Sequence, residues 1–235
     1  MRLNTEHQKK ELLLQWSSDR ISKNLNSGER TMNTEQMQQG DLDKIVHLLY
    51  EVGTLRRIPR MHRQVLLSDD TTDTIASHSF RVALISFFLA QAEGVDYFKA
   101  VMMALVHDLA EARSNDHNWV HKKYVTVHED EISNDQLGSL PNPILMTLLG
   151  EYKERKSRES ILVKDADLLD QLLLLREYEL TGNKEATTWL YGKRVSGRKA
   201  QLEKLTTDTA KRFGERMYEI SPSEWWRTLY TNKNR

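Results

Sequence analysis

Apolar positions recur at helical spacing through most of this chain, separated by polar and turn-rich stretches. From Asp41, the residues Leu42, Ile45, Val46 and Leu49 share one face, with Asp41 placed to cap the start and Gly53 to end the helix. Thr74 to Ala92 is the next predicted helix, with Ser77-His78-Ser79 in its first turn and an apolar body from Phe80 to Leu89. Gly94 interrupts the pattern. Asp96 can cap a third helix running to Ala112, apolar nearly all round, as a helix inside a larger domain is. Leu137 to Pro143 reads as a turn-rich connection, and Ile144 to Tyr152 as a helix leading into the charged run Lys153 to Arg158. Glu159 to Leu180 is the last strong helix; Lys184 to Ser221 continues in helical fashion, and Ser221-Pro222 opens a capped terminal helix. Residues 1–40 are polar apart from the island Leu12 to Trp16, and are expected to form a partly flexible extension. Neither an internal repeat nor a strand pattern is visible, so the predicted fold class is all-α.

Lys plus Arg number 34, as do Asp plus Glu, so net charge draws the chain neither to nucleic acid nor to an anionic membrane. No cysteine occurs, which leaves His, Asp and Glu to hold any cation; Mn, Co, Mg, Fe and Zn all suit such donors. No apolar run approaches the ~18–20 residues needed to span a bilayer, and the N-terminus has no signal-peptide core. A soluble, cytoplasmic protein with one main domain is therefore expected.

Candidate chemistry concentrates at Ala104-Leu105-Val106-His107-Asp108-Leu109-Ala110-Glu111. An imidazole and a carboxylate side by side at the end of an apolar helix need compensation, and two arrangements supply it: a bound cation, or a buried His-Asp hydrogen bond that orders the core. Glu111 follows on the same helical face about one turn later, where a proton-handling carboxylate is useful. The Ser114-Asn115-Asp116 cluster is loop-like and lets Asp116 turn back. His78 is either a core histidine or a ligand. His117 and His121 have a metal-ligand spacing, with His128 two turns on, yet their neighbours look solvent-facing. In the last strong helix Asp167 and Asp170 share a face, while Asp165 points nearly the opposite way. Arg56, Arg57 and Arg60 surround the bend at Pro59, an arrangement that fits a solvated loop as well as a site.

Taken together, His78, His107-Asp108 and an Asp in a third apolar helix resemble the H...HD...D signature of the HD-domain metal-dependent phosphohydrolases. Within that superfamily, His107-Asp108-x-x-Glu111-x4-Asp116 is similar to the 5'-deoxynucleotidases, as are Leu55 to Arg60, which match their arginine motif, and Val163 to Glu179. The resemblance covers about Leu42 to Leu180. It implies an HD-domain helical bundle over 41–182; residues 1–40 and 183–235 are not explained by it and are expected to be N- and C-terminal extensions, the latter helical and packed on the HD domain.

The resemblance further implies His78, His107, Asp108 and Asp167 as ligands of one divalent cation, and assigns Glu111, Asp116 and Arg57 to catalysis. Arg57, Ile58 and Asp116 would bind the substrate, a nucleoside 5'-monophosphate split to nucleoside and phosphate. Ile58 stands where some members of the family carry Trp, which predicts only a modest preference for deoxy over ribo substrates. Other members of the superfamily hydrolyse dNTPs, cyclic nucleotides or (p)ppGpp, and a non-catalytic nucleotide sensor is the reading from another class. A dinuclear site would need His117, His121 or His128. A homodimer is expected, with no nucleic-acid or membrane partner.

Overall fold

The computed structural model describes residues 37–193, 198–227 and 229. The sequence reading of residues 1–36 lies outside them. The helices are α1 (Gln39–Val52), α2 (His62–Leu66), α3 (Ile75–Glu93), α4 (Tyr97–Val106), α5 (Glu111–Ser114), α6 (Trp119–Tyr124), α7 (Glu129–Leu137), α8 (Ile144–Glu154), α9 (Arg158–Leu180), α10 (Lys184–Tyr191), α11 (Asp208–Glu219) and α12 (Glu224–Arg227). Two 3₁₀ turns, Gly53–Arg57 and Leu202–Lys204, join them, and among the described residues there is one isolated β-bridge, Pro59 to Thr74, and no strand.

Local sequence sets the ends of the central helices. Thr74 accepts from Ser77 N while the Ser77 hydroxyl accepts from Thr74 N, a reciprocal cap for α3. Gly94, at φ 67°, closes α3 in the left-handed region that glycine enters without steric cost. Asp96 then caps α4 by accepting from Lys99 N.

α3, α4 and α9 form the centre, their Val82, Leu89, Met103, Val163, Leu169 and Leu172 wholly enclosed. Ala186 and Leu190 of α10 and Ala210 and Tyr218 of α11 enter the same cluster, so these two helices share the core. A smaller cluster of Leu48, Leu55, Ile58, Ile75, Leu109, Leu137 and Leu149 lies beside it.

Among the described residues α3 alone is long and apolar enough to cross a membrane by length and composition, which the sequence reading missed because His78 and Arg81 interrupt its run. Half of its most apolar window is buried within the fold, as in a core helix.

α4 departs from expectation by ending at Val106 instead of running on to Ala112. The chain is wound more tightly there: Leu109 N bonds to Val106 O, Glu111 N to Asp108 O and Ala112 N to Leu109 O, each three residues back. In such winding residues i and i+3 eclipse, so Asp108 and Glu111 stack on one line.

Candidate metal centre

His78 lies in the first turns of α3, 1% exposed, and its Nδ1 donates to Asp170 Oδ2 at 2.6 Å. Asp170 also accepts from Arg81 Nε, and Arg81 Nη1 reaches Glu177 Oε1 at 2.7 Å. His107, at the end of α4, donates Nδ1 to the carbonyl of Ala104 at 2.7 Å. Because a carbonyl only accepts, that bond puts the proton on Nδ1 and leaves Nε2 as a lone pair.

Both Nε2 atoms are buried without a hydrogen-bond partner. They face the same carboxylates: His78 Nε2 is 3.4 Å from Asp108 Oδ2 and 3.4 Å from Asp167 Oδ1, and His107 Nε2 is 3.1 Å from Asp108 Oδ2. Adjacent ligands of a cation with bonds of ~2.1 Å stand ~3.0–3.4 Å apart, which is this spacing. His78, His107 and Asp167 each offer an atom within 4.8 Å of the others, the only such group of three among the described residues. Two orphaned imidazole nitrogens and two carboxylates, each imidazole oriented by an acceptor behind it, therefore fit a divalent cation.

The charges agree. Burial pushes the Asp108 carboxyl up, but His107 and His78 more than offset it and hold it well below the usual carboxylate range. Burial likewise raises the Asp167 carboxyl, and His78 with Lys164, whose Nζ is 2.6 Å from Oδ2, brings it below that range.

The three aspartates of α9 separate by partner. Asp165 accepts from Thr206 N, Thr207 N and the Thr207 hydroxyl at 2.7–2.8 Å, tying down the start of α11. Asp167 faces the two Nε2 atoms, and Asp170 orients His78. Replacing each by Asn is expected to remove metal binding at Asp167, to weaken it about 10- to 100-fold at Asp170, where orientation and imidazole basicity suffer, and to leave it unchanged at Asp165. Metal titration of the three variants checks this order.

Glu111 and Asp116 reach the centre by backbone geometry. Asn115, at φ 63°, reverses the chain after α5 and returns Asp116 to the interior, where Oδ2 accepts from Met61 N at 2.5 Å. Glu111 is half-buried, with Oε2 sequestered and unpartnered. Burial, then Asp108 and Asp116, push its carboxyl up to about 10.

The arginine expectation needs correction. Arg57 is exposed at the end of a 3₁₀ turn and is absent from the cavity wall, and Ile58 is buried in the smaller apolar cluster, so neither faces the centre. The β-bridge fixes this: Ile75 N bonds to Ile58 O and Arg60 N to Asp73 O, which turns Arg60 inward. Arg60 is 7% exposed, lies 3.8 Å from both Asp116 and Asp170, and contacts His62 Nε2 at 3.3 Å. Gln171 Nε2 approaches that same nitrogen at 3.0 Å, so His62 Nε2 accepts, and burial followed by Arg60 lowers its ring to about 4.

His107, Asp108, Glu111, Asp116, Asp167 and Arg60 line one cavity of about 630 Å³, with Tyr152 and Arg155 on its wall. Sequence reasoning missed Arg60, His62, Tyr152, Arg155 and the orienting role of Asp170. His117 also lines the cavity, whereas His121 and His128 do not, and none of the three joins the ligand cluster. α6 ends at Tyr124, which separates His128 from the face shared by His117 and His121.

The family model described as HD domain matches residues 52–208. Proteins named 5'-deoxynucleotidase HDDC2 are similar: that of Dictyostelium discoideum is 28% identical over 143 residues, covering 55% of this chain and 73% of its own length. The Homo sapiens protein of that name is 27% identical over 144 residues, covering 57% and 68%. A conserved hypothetical protein of Pyrococcus furiosus superposes with TM-score 0.61 at 31% identity, over 74% of this chain and 99% of that one. With an HD-domain match over most of its length and the signature residues converging on one cluster, the chain belongs to the HD domain family and is a metal-dependent phosphohydrolase.

Proposed function

We propose that this enzyme hydrolyses nucleoside 5'-monophosphates, with only a modest preference for deoxy over ribo substrates, to nucleoside and phosphate. One observation carries the reading: a buried arginine, Arg60, stands beside the ligand cluster in a cavity that also holds Glu111 and Asp116. That combination grips a phosphate, and similarity to proteins named 5'-deoxynucleotidase supports the substrate class.

His78, His107, Asp108 and Asp167 hold one divalent cation in this reading. A cation bound there would supply Lewis acidity, lowering the pKa of the attacking water and polarising the phosphoryl group. Arg60 takes phosphoryl oxygens through paired N–H donors. Asp116 keeps the Arg60 loop in place through Met61 N and is near enough to orient the attacking water. Beside a bound cation Glu111 returns toward the ionised form; it then accepts that water's proton and passes it to the nucleoside 5'-oxygen as the P–O bond breaks.

Arg60→Ala is expected to lower kcat/KM by at least about 100-fold, as loss of a charge-assisted bidentate contact does, while Arg57→Ala stays within about twofold of the parent. Steady-state kinetics on one substrate decides between the two arginines.

Selectivity passes from Ile58, which is enclosed, to the apolar wall of Val125, Val127, Leu149 and Leu168. Such a wall rejects an added hydroxyl by about 10²-fold at most. The decisive experiment is kcat/KM on paired dNMP and NMP substrates with Mn, Co and Mg, alongside dNTPs, cyclic nucleotides and (p)ppGpp; turnover of triphosphates alone sinks the monophosphatase reading.

The reading includes a cytoplasmic homodimer without nucleic-acid or membrane partners. Exposed Phe80, Leu84 and Phe88 on α3 and Phe98, Met102 and Leu105 on α4 offer the apolar face for a second copy, which light scattering tests.

A further inference from the structure

Arg155 is the residue after α8, and its backbone is left-handed, at φ 54° and ψ 33°. Glycine and asparagine are the usual residues for that conformation, because a Cβ there crowds the following carbonyl. A long, branched cation costs stability at such a position without improving the helix end.

The side chain is nevertheless held in place. Its guanidinium lies 3.3 Å over the centre of the Tyr152 ring, and Nη1 donates to Ser160 O at 3.3 Å. Tyr152 in turn packs edge-on against the ligand His107, ring centres 5.4 Å apart.

Apart from Arg60, already placed at the phosphate, the other cations of the cavity wall are paired or exposed: Lys164 has Asp167, Lys153 has Asp130, and Lys122 is an exposed side chain on short α6. Arg155 is half-buried and makes no salt bridge among the described residues. A fixed, partly desolvated guanidinium without a carboxylate, facing a cavity beside the ligand cluster, is short of one anion.

We propose that Arg155 is a substrate-binding residue, a second guanidinium that takes anionic phosphate oxygens together with Arg60. This rests on the reading of the cavity as a phosphate-ester site. Strain at residue 155 is then retained because the left-handed turn aims the side chain back over Tyr152 and toward the centre.

The test uses the full chain loaded with Mn²⁺ and inorganic phosphate as the probe, with calorimetry reading both affinities. Arg155→Gly suits the backbone and removes the guanidinium; Arg155→Asn, which also tolerates the left-handed region, serves if the glycine variant does not fold. Phosphate affinity is expected to fall about tenfold or more, as for a lost hydrogen bond to a charged group, with Mn²⁺ affinity unchanged and Arg155→Lys recovering part of the loss. Parent-like phosphate affinity in Arg155→Gly or Arg155→Asn overturns the proposal. So does a parallel loss of Mn²⁺, which would make Arg155 a prop for Tyr152 and His107. Phosphate binding needs no turnover, so the outcome is legible even if nucleoside monophosphates prove not to be substrates.

Discussion

Replacing His107 or Asp108 by Ala is expected to abolish metal binding and activity together while leaving the helical content intact. His107 contributes one of two buried, unpartnered Nε2 atoms, and Asp108 Oδ2 stands 3.1 Å from it and 3.4 Å from the other. Removing either takes away a ligand that no neighbour replaces. Stability should not collapse, because both residues lie at the cavity wall after α4 has ended, outside the main apolar cluster. Asp108→Ala even removes a half-buried carboxylate from a site crowded with Glu111, Asp116 and Asp167. Elemental analysis and circular dichroism are the measurements; full metal occupancy in either variant would remove that residue from the ligand set.

Glu111→Gln is expected to lower kcat by about 10²- to 10⁴-fold, the usual range when a general acid-base group is lost, with the metal still bound. The isosteric amide cannot accept the proton of the attacking water. A second readout separates this role from a structural one. The Glu111 carboxyl is pushed up to about 10 by burial and by Asp108 and Asp116. A raised carboxyl favours folding fully only below its unfolded value, near 4.5, and that contribution is lost as pH rises through the folded value. The metal-free parent therefore loses stability between these limits, and metal-free Glu111→Gln should melt higher than the parent at pH 8 and alike at pH 4. A variant with parent-like kcat at every pH would make Glu111 a packing residue.

Much of this arrangement was legible where its determinants are local. The helix start at Thr74, the cap at Asp96, the break at Gly94 and the loop returning Asp116 follow from residues adjacent in sequence, and His107, Asp108 and Glu111 form one contiguous motif. What escaped depends on distant partners. Three arginines around Pro59 are equivalent on paper, and only the pairing of Pro59 with Thr74 turns Arg60 inward and Arg57 outward. Helical geometry set Asp165 apart from Asp167 and Asp170, but their separate tasks appear only when His78 and the Thr206-Thr207 turn are in view. The dense apolar pattern from Tyr97 to Leu109 also concealed the tighter winding after Val106, because a 3₁₀ turn and an α-helix ask for nearly the same residues.

The three aspartates of α9 make that helix a gauge for the whole molecule. Sliding or rotating it by one residue would at once unseat the start of α11, misplace a ligand and release His78. The smallest active fragment is set accordingly. A chain cut after Leu180, at the end of the recognisable motifs, would strip Asp165 of its three donors and strand a carboxylate that is 0% exposed, two residues from Asp167. Trimming from the C-terminus should therefore stop beyond the first turn of α11, and loss of metal on deeper trimming would reflect a broken helix register rather than a missing ligand.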